Sequence, residues 1–293
     1  MLLGILNSQA AGTTSLFIAG GVAGIMTTSP NGTTWTSQTS GFGSNNISEL
    51  AKSDSLYVAV GDSGTITTSL DSITWTSRTS GFGTTAIRGV GYGDSLFVAV
   101  GDDGKLTTST DGTTWTTRTS GFGTTRIFNV TYGDGVYVAV GEQGKMTTST
   151  DGTTWTTRTS GFGTTTIYNV AYGDGVYVAV GNVGTITTST DGITWTSRTS
   201  NLASGSIRAV GFGDGLFIAG GAAGIMATSP DGTTWTSRTS GFGSNVVYNV
   251  AYGDGVYVAG GEGGTIRTSP DGISWTSRTS GFGTSQVLAL TYG

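Results

Sequence analysis

Across residues 164–203, apolar and polar positions alternate in short bursts separated by glycine. "TTIYNVAYGDG" reads as a strand with one apolar face that runs into a glycine turn, and "VYVAVG" as a short strand apolar on both sides. "NVG" turns the chain, "TITTST" alternates as a half-buried strand, "DGIT" is a second tight turn, and "WTSRTS" is a polar, alternating fourth strand. A period of two bounded by turn residues is the strand signal. Gly-Asp-Gly and Asp-Gly supply the positive φ values that tight hairpins demand. No stretch carries a helical period. The pattern predicts four short antiparallel strands in each unit.

The unit recurs. "TSTDGTTWTTRTSGFGTT" at 108–125 returns letter for letter at 148–165, and tryptophan stands at 35, 75, 115, 155, 195, 235 and 275, always 40 residues apart. Four strands in such a period predict a propeller blade; a β-helix would show shorter repeats and stacked ladders. Seven tryptophans predict seven blades. The ends bear on this. Residues 287–292, "VLALTY", read as a first strand with no blade after it, whereas 5–12, "ILNSQAAG", fall at that phase without its pattern. The C-terminal strand is therefore expected to join the first blade beside 15–20, "SLFIAG", which closes the ring and removes two free sheet edges. The fold class is all-β: a seven-bladed propeller of four-stranded antiparallel blades. Residues 14–293 form one circular domain and 1–13 an N-terminal arm.

Composition narrows the chemistry. With 35% hydrophobic and 10% aromatic residues against 11% charged, the chain can bury a core. The net charge of −5 and the lack of a basic run exclude a nucleic-acid footprint. Cysteine is absent, so there is no disulfide framework or thiolate. Histidine is absent too, which removes the usual metal ligand and the usual general base near neutral pH. No apolar run reaches the length of a membrane span, and "MLLGILNSQAAG" lacks the basic n-region of a signal peptide. No cofactor, metal or membrane insertion is expected.

The strongest motif is S-x-D-G-x-x-W. It comprises Ser69, Asp71 and Trp75; Ser109, Asp111 and Trp115; Ser149, Asp151 and Trp155; Ser189, Asp191 and Trp195; Ser229, Asp231 and Trp235; and Ser269, Asp271 and Trp275. The first repeat has Ser29, Asn31 and Trp35, and Ser72 replaces the glycine in the second. A short acid or amide at a turn accepts backbone N–H bonds two residues on, glycine permits positive φ, and the tryptophan folds its ring under the turn. The motif resembles the Asp-box, or BNR, repeat of sialidase-like and photosystem-assembly-factor propellers, over all seven repeats. The family's box usually reads S-x-D-x-G-x-x-W, one residue longer. The resemblance implies a structural turn between the third and fourth strands, away from the ligand face. The opening residues and the Thr/Gly-rich repeats also resemble propellers of tailed-phage tail and fibre proteins.

Two repeated features read as scaffold. Arg78, Arg118, Arg158, Arg198, Arg238 and Arg278, with Gln38 in the first repeat, share one phase, so they cannot converge on one ligand as a sialidase's arginines do. They are expected on the outer strand, covering the tryptophan or pairing with a neighbouring blade. The phenylalanines of "GFG", from Phe42 to Phe282, are expected to plug the gaps between blades; "NLA" stands at 201–203 instead. Function should lie where repeats differ. The pair inside each G-x-x-G turn varies, as does the segment before the first strand. Alternation places both on the face opposite the boxes. The candidate binding residues are Asp62, Asp102, Asp103, Arg126, Glu142, Asn182 and Glu262, and the acids at 62, 102–103 and 142 are expected to make that face locally negative.

The sequence thus reads as a non-enzymatic structural or adhesive virion component of a phage tail or fibre. Its expected partners are other virion proteins, met through Leu2, Leu3, Ile5 and Leu6 of the arm, and a host-surface glycan or protein. The alternatives are a multivalent carbohydrate-binding lectin and an Asp-box assembly factor.

Overall fold

β-Branched and aromatic residues fit a pleated, half-buried surface, and the glycine-rich tips between them let the chain reverse. In the fourth repeat the strands are Ile127–Gly133, Val136–Gly141, Lys145–Ser149 and Thr156–Thr159, hydrogen-bonded antiparallel in that order. The structure, a computed structural model, describes residues 15–200, 202 and 205–293. The expected arm at 1–13, with Leu2, Leu3, Ile5 and Leu6, lies outside them. The described strands make seven four-stranded sheets. They are the blades of a propeller, numbered here in the order of their tryptophans, with the first strand of each blade on the axis.

The ring closes as the two chain ends predict. Val287–Tyr292 pairs antiparallel with Phe17–Gly21 and becomes the innermost strand of blade one. Leu16 and Gly293 exchange backbone hydrogen bonds of 2.9 and 3.1 Å. Among the described residues no helix is long and apolar enough to cross a membrane.

The core lies between blades rather than within one. The second strand of each blade is buried on both faces, as in Val136–Gly141. Its residues join the first strand of the next blade in a mixed cluster: Val98, Val100 and Leu106 of blade three meet Ile127, Val130 and Tyr137 of blade four. The linker phenylalanine is buried in that seam, as expected: Phe122 here, and Phe42, Phe82, Phe162, Phe242 and Phe282 elsewhere. Leu202 packs at the corresponding seam between blades five and six.

A second device crosses four seams. The hydroxyl of Tyr137 donates to the carbonyl of Gly93 in the preceding blade; Tyr177 does so to Gly133, Tyr257 to Gly213 and Tyr57 to Gly293. Blades one, three and six carry Phe17, Phe97 and Phe217 at this position and lack the hydroxyl. The acceptor glycine is also a seat. A Cβ on Gly133 would fall 2.1 Å from the ring of Tyr172, so only glycine lets the next blade's aromatic lie there. That ring in turn packs on Tyr177 with centroids 4.6 Å apart.

Candidate functional site

The boxes form the turns expected of them. In blade three, Asp111 Oδ1 accepts N–H bonds from Thr113 (2.8 Å) and Thr114 (2.7 Å) and the Ser109 hydroxyl (2.9 Å). The Trp115 indole donates to the Gly112 carbonyl at 3.1 Å. Gly112 has φ 67°, and a Cβ there would press against Leu56 of blade two. Asn31 and Ser72 keep the same bonds in their boxes. Backbone donors, and for Asp231 first of all the Thr233 hydroxyl, hold the box carboxylates well below the usual range: to about 2 for Asp71, Asp191 and Asp271, and lower still for Asp111, Asp151 and Asp231. The tryptophan rings are half-buried, except Trp235, which is buried.

The repeated arginines sit on the outer strand, where the sequence places them, but their partner is neither tryptophan nor the next blade. Arg118 Nε donates to Thr108 Oγ1 of its own third strand at 3.0 Å, and the other five arginines do the same at 2.7–2.9 Å. Gln38 makes the equivalent bond to Thr28. The threonine lies on the diagonal of the antiparallel pair, two residues on from the position that faces the arginine, and within reach of its long side chain.

The opposite face is where the blades differ. Every first strand carries a β-bulge near its start: Ile127 faces Gly141 and Asn129 faces Val140, so Phe128 is the extra residue. Bulges re-aim a side chain. The seven bulge residues are Ser48, Arg88, Phe128, Tyr168, Arg208, Tyr248 and Leu288, and all line one cavity of about 210 Å³ at the axis. Below them Glu49, Asn129, Asn169 and Asn249 reach into the channel. The Asn249 amide donates to Glu49 Oε1 at 3.3 Å and the Leu50 N–H does so at 3.0 Å. Burial outweighs both bonds and pushes the Glu49 carboxyl from 4.5 up to about 8.

The residues singled out in the G-x-x-G turns stand directly behind this mouth and hold it. Asn182 Oδ1 accepts the Tyr168 hydroxyl at 3.0 Å, and Glu262 Oε1 accepts that of Tyr248 at 3.1 Å. Asp102 takes Arg88 at both carboxylate oxygens, 2.9 and 2.8 Å. Asp62 also pairs with Arg88 (3.3 Å), and Arg126 bridges Asp102 (2.5 Å) and Glu142 (3.2 Å). The acids of blades two, three and four therefore alternate with two arginines in one string. The acids read from the loops are thus partly neutralised by Arg126 and by Arg88, a strand residue that loop variation does not reveal. Asp103 is apart from the string: it holds φ 57° at the turn tip, and Thr85 donates to it at 3.4 Å.

Aromatic stacking completes the rim. Phe128 and Tyr168 lie 5.5 Å apart, Arg208 rests 4.0 Å over the Tyr168 ring, and Arg126 lies 5.6 Å from Phe128. None of the bulge residues was singled out from the sequence. Their signal was a dipeptide that takes six forms in seven copies of a strand whose apolar outline is kept: Ser-Glu, Arg-Gly, Phe-Asn, Tyr-Asn (twice), Arg-Ala and Leu-Ala.

No family profile and no curated protein sequence matches the chain. Solved structures do resemble it in shape. The computationally designed Ika8 protein is 16% identical over 96% of this chain and 88% of its own, with a TM-score of 0.68. The WD40 β-propeller domain of Doa1 is 14% identical over 93% and 90%, with a TM-score of 0.66. YCF48 bound to D1 peptide is 18% identical over 79% and 80%, with a TM-score of 0.63. At such identities they share the architecture alone: the chain is a seven-bladed β-propeller with four antiparallel strands to a blade.

Proposed function

We propose that the chain is a non-enzymatic binding propeller, a rigid head displayed on a phage tail or fibre and attached there through residues 1–13. The observation that carries the reading is the contrast between scaffold and axis. Boxes, outer arginines and linker phenylalanines repeat from blade to blade, whereas the seven bulge residues at the axial mouth differ almost throughout. An asymmetric recognition surface on a symmetric ring takes that form. The virion assignment draws on the apolar opening and the Thr/Gly-rich repeats, which resemble tail and fibre propellers. The partners are other virion proteins at the arm and a host-surface glycan or protein at the mouth. Against hydrolysis stands the mouth's single carboxyl group, Glu49, since glycoside cleavage takes a pair.

Mass spectrometry of purified particles tests the reading. The chain is expected at fixed copy number, and deletion of 1–13 is expected to abolish its incorporation; absence from particles would overturn the virion assignment. An assembly factor that holds a peptide, as the YCF48 structure holds a D1 peptide, would then lead. A lectin with equivalent sites on every blade has less support, because the repeated phenylalanines that would offer sugar-stacking surfaces are buried between blades.

A further inference from the structure

Two arginines occupy bulge positions at the mouth, and they are treated differently. Arg88 faces Asp102, fourteen residues on, and Tyr168 and Tyr248 face Asn182 and Glu262 at the same spacing. In blade six the bracket position is Ala222, so Arg208 receives nothing from it. Among the described residues no carboxylate lies within ion-pair distance of Arg208, and its buried Nε has no hydrogen-bond partner. Residues 1–14, 201, 203 and 204 contain no Asp or Glu. The Tyr168 ring beneath Arg208 fixes the guanidinium and attracts it, but it brings no counter-charge. A held cation with no charged partner among the described residues is set up for an anion from outside.

We propose that the axial mouth binds a carboxylated sugar, with the carboxylate paired to Arg208. One fixed cation matches one negative charge, and the planar guanidinium fork matches a planar carboxylate in a bidentate pair. Phe128 and Tyr248 offer apolar surface to the C–H face of a ring. Asn169 and Asn249 carry amides that both donate and accept, as sugar hydroxyls do. The cavity, about 210 Å³, is smaller than the ~300–1,000 Å³ of pockets for drug-sized ligands and suits a single ring. The inference rests on the binding reading above only in placing the ligand at this mouth.

The test is calorimetric titration of the full chain at low salt with galacturonate, its neutral methyl ester, galactose, and a short peptide with a free C-terminus. Galacturonate is expected to bind, with the ester and galactose about tenfold weaker or worse. Arg208→Gln is expected to lose about tenfold or more in affinity. Ala222→Asp should lose as much, because it supplies the bracket acid that blade three already has, and both variants should melt as the parent does. The proposal is overturned by an absence of saturable galacturonate binding, by equal binding of the ester, by an unaffected Ala222→Asp variant, or by a peptide that binds more tightly than the sugar. Binding of galacturonate by a chain missing from particles would sink the virion assignment and leave this site standing. A chain present in particles but indifferent to galacturonate would do the reverse.

Discussion

Replacing Glu49 by glutamine should stabilise the propeller at neutral pH and leave it unchanged in acid. Glu49 titrates at about 8 in the folded ring against 4.5 for an ordinary glutamate, because burial in the channel penalises its charge more than Asn249 and Leu50 relieve it. The sign follows from proton counting. Between pH 4.5 and 8 the folded state holds a proton that the unfolded chain has released, so raising the pH favours unfolding. The stability of the neutral form is fully present below pH 4.5 and is lost as pH rises through 8. Each pH unit is worth about 1.4 kcal/mol, so at pH 7 the penalty is about 3 kcal/mol as an upper bound, lowered by water in the channel. Glutamine carries no such penalty and keeps the shape. The other groups lining the channel, among them Lys52, Arg88, Arg208 and Tyr248, are common to both proteins and largely cancel in the difference. Urea unfolding followed by tryptophan fluorescence at several pH values from 4 to 9 reads it. The two midpoints should coincide near pH 4 and separate steadily to about pH 8. A difference that stays constant across this range would refute the assignment of a buried, proton-holding carboxyl.

Other perturbations test the seams and turns. Tyr137→Phe strips the Gly93 carbonyl of its donor and should cost about 1 kcal/mol, whereas Phe217→Tyr places a hydroxyl where Gly173 has none and should add a similar amount by thermal or urea unfolding. The depressed box carboxylates contribute stability that is present above pH 4 and lost as pH falls towards 2, so Asp-to-Asn changes at 71, 191 and 271, on the precedent of Asn31, should flatten the acid limb of a pH–stability curve. Val183 is β-branched, exposed and held at φ 50°, so Val183→Gly, which copies Gly263, should stabilise the fold by about 1 kcal/mol, read as a higher urea midpoint. Removing residues 287–293 takes the inner strand from blade one, and cooperative unfolding should give way to a broad transition.

Much of this architecture is legible in the sequence because its signals are local and repeated. Period-two alternation marks each strand, Asp-Gly five of the seven boxes, and the unmatched first strand at 287–292 the closure. The site is only half legible. The G-x-x-G pairs stand out because they vary in loops, yet Asn182, Glu262 and Asp102 act as supports for residues on a strand. Those strand residues hide within segments such as "IYNV" and "IRAV", whose outline stays apolar while the second letter changes. Their prominence comes from the bulge, which is a property of register between two strands and has no letter of its own. The tyrosine bonds to Gly93 and Gly133 are hidden for a related reason: the acceptor lies 44 residues earlier, in the preceding blade.

A closed ring limits where a repeated sequence can specialise. Boxes and outer arginines are held far apart by the radius of the ring, so identical copies there remain identical scaffold. On the axis the copies converge, and seven equal side chains would present a sevenfold surface to any ligand. Recognition of a ligand without that symmetry requires the axial residues to differ, and each new axial residue then needs its own support. The pairs carry that logic: arginine with aspartate in blade three, tyrosine with asparagine in blade five, tyrosine with glutamate in blade seven. In these three blades the bracket bonds what its own bulge presents, whereas Asp62 and Glu142 bond Arg88 and Arg126 instead. Blade six departs from that pattern, setting Ala222 behind Arg208, and in doing so leaves a cation at the mouth that no carboxylate among the described residues neutralises. In a protein that supports every other polar side chain at these bulge and bracket positions of blades three, five and seven, the unsupported guanidinium is the position where an outside partner has the most to contribute.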